Sequence, residues 1–248
     1  MRMHSPVFVP SALVTAGVLV CLMAASVYSA EPQCVELIGA DLSPWRGDTG
    51  QWTIVGKAVQ DPNDPKRIAT SAGAGVLVNG PTGRTLNLLS QFEHGDVEAH
   101  VEFMVPEGSN SGVYFQGRYE VQILDSWGKN EVTHGDCGGI YERWNNEKRQ
   151  GFEGRAPRVN ASRRPGEWQT FDVVFRAPRF DADGKKVANA RFVKVVHNGT
   201  VVHENVEVTG PTRAAAFSDE VPVGPLMLQG DHGPVAYRNL RLTALPAN

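Results

Sequence analysis

The sequence predicts an all-β chain folded as a two-sheet antiparallel β-sandwich, and three observations predict it. Val, Ile, Phe and Tyr alternate with polar residues over about ten short stretches, each closed by Gly, Pro or Asn. His197-Asn-Gly-Thr200 sets an Asn-Gly turn between two alternating stretches, a strong hairpin signal. No stretch keeps apolar residues at helical spacing for three turns. Strands of this number and length in one domain stack as two sheets.

Residues 1–30 read as a signal peptide. Arg2 and the amino terminus supply positive charge, an apolar run follows from Val7 to Ala25, and Val27-Tyr28-Ser29-Ala30 offers small-residue cleavage. Ser5, Pro6, Pro10, Ser11 and Thr15 interrupt the run, which favours cleavage over a membrane anchor. Residues 31–248 then form a single β-sandwich domain that is exported, periplasmic or extracellular. Cleavage removes one of the 24 basic residues and none of the 27 acidic ones. The remainder is mildly acidic and has no basic run, which argues against nucleic acid or an anionic membrane as partner. Two cysteines remain, Cys34 and Cys137. Export permits a disulfide between them, and two free thiols are the alternative. No Cys or His spacing matches a zinc site. Nothing in the sequence speaks to oligomeric state.

Candidate strands in order are 52–55, 75–78, 85–89, 96–105, 112–124, 169–177, 190–197, 200–208, 225–229 and 235–245. Trp168 opens one of them and reads as core. His197 and His203 flank the Asn-Gly turn and read as solvent-facing. The segment 129–164 breaks the alternation, being long and rich in Gly, Asn and Arg; loops of that length are usually functional.

The stretch from Gly112 to Gly128 carries the chemistry. Val113, Phe115, Tyr119, Val121 and Ile123 share one face and can fill a core. Tyr114, Gln116, Arg118, Glu120 and Gln122 share the other. Asp125 has the wrong parity and joins that face only if the strand bulges near Ile123-Leu124. On the stretch from Asp96 to Phe103, Glu98, His100 and Glu102 share a face. If the two strands are neighbours, His100, Glu102, Arg118, Glu120 and Tyr114 form one titratable cluster, suited to acid–base work. Cross-strand ion pairs are the plain alternative. Trp127 follows directly and offers a platform for a sugar ring, or a core contact. Asp231-His232 between two glycines places a carboxylate beside an imidazole, or is only a turn.

The stretch Asn110-Ser-Gly-Val-Tyr-Phe-Gln-Gly-Arg-Tyr-Glu-Val-Gln-Ile-Leu-Asp-Ser126 resembles the 3-keto-disaccharide hydrolase domain family. Val159-Asn-Ala-Ser162, Pro165-Gly-Glu-Trp-Gln-Thr170, Val174-Phe-Arg-Ala-Pro178, His197-Asn-Gly199 and Asp231-His-Gly233 support the likeness, which spans 47–245. The resemblance implies a concanavalin A-like lectin/glucanase sandwich (jelly roll) and a carbohydrate substrate. Laminarinase-type glucanases of that fold carry Glu-x-Asp-x-x-Glu; this chain has Glu120-x-Gln122-x-x-Asp125. Gln122 cannot act as the central carboxylate, so double displacement, which needs carboxyls about 5–5.5 Å apart, fits poorly.

A 3-keto sugar opens another route. Its ketone acidifies the C2 proton, a base removes it, and the C1 substituent leaves. The resemblance then implies catalytic roles for Glu120, Asp125, His232 and Arg118, Arg118 stabilising the oxyanion. It implies substrate contacts for Gln122, Trp127, Tyr114, His100, Glu102 and Asp231. A divalent metal on Asp125, Glu120 or His100 would serve the oxyanion equally, though no motif establishes a cofactor. The competing class is a non-catalytic carbohydrate-binding module of the same fold. The acidic and histidine cluster favours the enzyme.

Overall fold

The computed structural model describes Met1, Met3 and residues 33–246. Apart from those two methionines, the expected leader lies outside the described residues. No helix among the described residues is long and apolar enough to cross a membrane.

The first strands are β1 (Cys34–Glu36), β2 (Trp45–Arg46), β3 (Thr53–Gln60), β4 (Ile68–Val78), β5 (Leu88–His94) and β6 (Val97–Met104). A hairpin of β7 (Asn110–Phe115) and β8 (Tyr119–Leu124) follows. The irregular segment holds the short ribbon β9 (Arg143–Asn145) and β10 (Gln150–Phe152). Next come β11 (Gln169–Arg176), β12 (Arg179–Phe180) and β13 (Lys186–Ala188). The last four are β14 (Ala190–His197), β15 (Thr200–Val208), β16 (Gly224–Leu228) and β17 (Ala236–Ala244).

Two antiparallel sheets make the sandwich. The larger runs β15-β14-β11-β6-β17-β4-β3, with β1 also on β17; the smaller runs β2-β5-β16-β7-β8. Alternation decides what each strand buries. Val97, Ala99, Val101 and Phe103 of β6 join Phe171, Val173 and Phe175 of β11 in the core. From the smaller sheet, Val113, Phe115, Tyr119, Val121 and Ile123 meet them. The Phe115 ring lies 5.2 Å from Phe175 and edge-on to Phe192 at 5.5 Å, so aromatic contacts join the two sheets.

Three expectations need correction. The stretch 112–124 is two strands, not one. Gln116 and Gly117 both take positive φ, and Phe115 pairs with Tyr119 across a tight turn. The pair is four positions apart, with three residues between, so parity is preserved and the alternation looks unbroken. His197 and His203 are buried rather than solvent-facing. His197 Nε2 contacts Gln169 Oε1 at 2.9 Å, and His203 Nε2 contacts the Gly138 carbonyl at 2.8 Å. Finally, the strand expected at 85–89 begins at Leu88 and runs on to His94. Cys34 is exposed, Cys137 is buried, and both are free thiols.

Candidate active site

Burying Tyr119, Val121 and Ile123 turns Glu120 and Gln122 to the outer face of the smaller sheet. There Glu120 sits opposite Tyr114 and Gln122 opposite Gly112. Gly112 is required by space. A Cβ at that position would lie 2.2 Å from a Glu120 carboxylate oxygen and 3.0 Å from the Tyr114 ring. The Glu120 side chain therefore lies across the bare Gly112 backbone, in hydrogen-bond contact with the Tyr114 hydroxyl. This is the close approach that a glycine inside a strand signals. Together these residues floor a cavity of about 220 Å³.

Three loops build its walls. The segment after β8 folds back along that strand's open edge. Tyr141 N–H donates to the Glu120 carbonyl (3.2 Å), and Gly138 N–H to the Gln122 carbonyl (2.8 Å). That places Tyr141 in the cavity. The loop between β16 and β17 supplies Gln229 and His232. The buried Asn79 side chain anchors it, donating to the Gly230 and Gly233 carbonyls and accepting from Val235 N–H. The strap between β15 and β16 supplies Arg213 and Ala214, the latter at a φ of 64°. A non-glycine residue in that region stores strain, which the surrounding contacts must hold.

Burial pushes the Glu120 carboxyl up to about 8; the Tyr114 hydrogen bond opposes this and the negative charge of Asp231 adds to it. Glu120 is 2% exposed and has no cationic partner among the described residues, so at neutral pH it keeps its proton. Burial, then Glu120, drives the Tyr114 phenol well above its ordinary range. Burial and the same carboxyl raise Tyr141. At the rim, the Asp231 carboxylate lies 2.6 Å from His232 Nδ1. The side chains of Asn110, Gln229 and Tyr141 hydrogen-bond to no other described residue, and buried Gln122 Oε1 also lacks a partner. One buried acid, a histidine paired with a carboxylate at the rim, and a ring of unpaired neutral polar groups thus meet at one small cavity. Such a site can move protons and read hydroxyl groups.

The structure gathers Glu120, Gln122, Tyr114 and His232 here, with Asp231 beside them. The other expected residues lie elsewhere. Arg118 belongs to the β7–β8 turn. It pairs with Asp219 at 2.7 Å, donates to the Gln116 carbonyl and stacks over Phe217, so it is a clamp on the strap. No bulge interrupts the β7–β8 register, and Asp125 instead accepts from the Gly108 and Trp127 amides. Trp127 is 51% exposed beneath Arg164 and does not line the cavity. His100 and Glu102 sit on β6 in the other sheet, where β6 pairs with β11 and β17 rather than β8. His100 contacts Asp172 there at 2.6 Å, and Glu102 pairs with Arg238. Alternation shows which residues share a face but not which sheet holds the strand.

Asp125, Glu120 and His100 therefore do not converge as ligands. Among the described residues no three His, Cys, Asp or Glu side chains form a metal-holding group. A wider hollow of about 460 Å³ covers the outer face of the larger sheet around His100. Its carboxylates on Glu98 and Asp172 are exposed, so the chemistry favours the smaller cavity. The residues missed from sequence are Asn110, Tyr141, Arg213, Ala214 and Gln229. Tyr141, Arg213 and Ala214 come from irregular segments with no periodic signal.

A family model described as the 3-keto-alpha-glucoside-1,2-lyase-like domain matches residues 34–243. A crystal structure of a Parabacteroides distasonis protein, provisionally assigned as a glycosyl hydrolase, is 28% identical. It superposes with a TM-score of 0.61 over 86% of this chain and 84% of that one. A second Parabacteroides distasonis protein of the same assignment gives a TM-score of 0.55 at 19% identity, covering 86% of this chain and 100% of that one. This second likeness shows the shared sandwich fold alone. No curated protein matches the chain.

Proposed function

The chain belongs to the 3-keto-alpha-glucoside-1,2-lyase-like domain family, and from that membership we propose a carbohydrate-active enzyme that cleaves 3-keto-glycosides by elimination. The observation that carries this reading is the buried Glu120 carboxyl sharing a cavity with His232, whose Nδ1 contacts Asp231.

The steps follow from the chemistry of the ketone. His232, oriented by Asp231 through Nδ1, takes the C2 proton at Nε2. The electron pair moves onto the C3 oxygen as an enolate, which the amides of Asn110 and Gln229 and the Tyr141 hydroxyl can stabilise as donors. Its collapse forms the C1–C2 double bond and breaks the C1–O bond. Glu120 donates its stored proton to the leaving oxygen. The products are an unsaturated keto sugar and the free alcohol; water adding across the double bond completes a net hydrolysis. Double displacement is the poorer fit, because Gln122 occupies the neighbouring position and Glu120 is the one carboxyl among the described residues that lines the cavity. The leader-like residues 1–30 support export, so the substrate is met outside the cytoplasm.

Two readouts test the reading together. In D2O, substrate recovered before completion should carry deuterium at C2, and kcat/KM should fall as pH rises through about 8, where Glu120 loses its proton. Cleavage without C2 exchange, with a rate that climbs through that pH, would make Glu120 the base or nucleophile and remove the elimination route.

A further inference from the structure

Gln122 holds a feature that the proton chemistry does not use. The residue is 4% exposed, yet its Oε1 has no hydrogen-bond partner among the described residues. Its Nε2 donates to the Gly135 carbonyl at 3.2 Å. A carbonyl can only accept, so this bond fixes which end of the amide is which. The main chain is pinned as well, Gln122 N–H donating to the Gly139 carbonyl and the Gln122 carbonyl accepting from Gly138 N–H. Gly135 is itself set by a turn at Thr133–Asp136, where Asp136 accepts from Thr133, Ser126 and Lys129. The acceptor is therefore held rigidly, buried and unpaired, on a residue that lines the cavity. Buried polar atoms are rarely orphaned, and leaving one so is costly unless a ligand or water completes it.

We infer that Gln122 is the specificity-determining acceptor of the site, reserved for one sugar hydroxyl and closed to the ketone oxygen. The inference rests on the sugar reading above and deepens it. Oε1 has lone pairs only, so a carbonyl or ether oxygen placed against it would meet another acceptor. A hydroxyl satisfies it with a directed bond. The ketone must then face the donors on Asn110, Gln229 and Tyr141. This orients the ring: C3 points to the amide and phenol donors, and a hydroxyl on C2, C4 or C6 points to Gln122. The separation helps, because Glu120 and Gln122 lie two residues apart on one strand face, about 6.5–7 Å. One ring can span both.

The probes are methyl α-D-glucopyranoside and its 2-, 3-, 4- and 6-deoxy forms, which lack the ketone and are not cleaved by the elimination route. Their affinities are measured by calorimetry on the wild-type protein and on Gln122→Met. In the wild type, deletion of one hydroxyl at C2, C4 or C6 should weaken binding roughly tenfold, the worth of a neutral hydrogen bond. In Gln122→Met the same deletion should cost nothing further, while the other deletions keep their effects. If the Met variant does not fold, Gln122→Asn draws the same amide back by one methylene and should blunt the same deletion. A flat deoxy profile with measurable binding, or a loss confined to C3, overturns the inference alone. If none of these sugars binds either protein, the sugar reading itself fails and takes the inference with it.

Discussion

At the scale of single residues, Gly112 and Glu120 form one unit. The carboxylate occupies the volume that any side chain at position 112 would need. Gly112→Ala should displace Glu120 by about an ångström and lower kcat/KM by up to ~100-fold with the fold intact, since small misplacements near the reacting atoms cost that much. Unchanged kinetics in a folded Gly112→Ala variant would show that the Glu120 position is irrelevant. Glu120 also links activity to stability. Its carboxyl rises from 4.5 to about 8 on folding. Below pH 4.5 both states are protonated and nothing is lost. As pH rises towards 8 the unfolded chain releases the proton while the folded chain retains it, so stability falls. Glu120→Gln should therefore match the wild type near pH 4 and exceed it by a few kcal/mol near pH 8, in urea melts, while losing activity.

At the scale of elements, the β7–β8 hairpin and the strap between β15 and β16 form the working pair. Thr212 N–H and Oγ1 bond the Arg118 carbonyl, Ala216 N–H bonds Gly117, and the Arg118 side chain grips Asp219. Arg118 is 4% exposed, whereas the Asp219 side chain is 66% exposed. The Arg118 bonds to the Asp219 and Gln116 carbonyls should thus matter more than the ion pair. Arg118→Ala should speed hydrogen exchange at Thr212 and Ala216 and raise KM more than it lowers kcat, because it frees the wall carrying Arg213 and Ala214. Asp219→Asn should change either readout only slightly. Equal, large effects in both variants would assign the hold to the ion pair instead.

The same elements show what the sequence made legible. The sandwich, the inward face of β6 and the core residues of β7 and β8 followed from period-2 alternation. So did the shared outward face of Tyr114, Glu120 and Gln122. Arg118 did not, because a turn that preserves parity hides inside an alternating run; Gly117 was its one visible mark. The sheet holding His100 depends on long-range pairing, which alternation does not encode. Tyr141 and Arg213 reach the cavity through loops whose paths follow from buried anchors such as Asn79 and Asp136, not from any local pattern.

At the scale of the whole molecule, three histidines set the acid limit. Burial holds His94, His197 and His203 each near 4, against an ordinary 6.5. His94 Nδ1 contacts the Gly95 carbonyl, and its Nε2 accepts from Gln116 N–H, so it also braces the hairpin turn. Above pH 6.5 all three are neutral in both states. As pH falls towards 4 the unfolded chain takes protons that the folded chain refuses, and stability drops, by up to about 4 kcal/mol per pH unit for three groups. Urea midpoints should fall steeply over that window; a flat response would mean the histidines open to solvent without unfolding.

The proposed cleavage of 3-keto-glycosides at the cavity over Gly112 rests on Glu120. The most direct measurement follows release of methanol from methyl 3-keto-α-glucoside, whose leaving oxygen needs a proton, by the wild type and by folded Glu120→Gln. The wild type should release it steadily and the variant at a rate at least ~100-fold lower, the usual share of a general acid. Equal release by both proteins, or sugar retained by the wild type with no release, would contradict it.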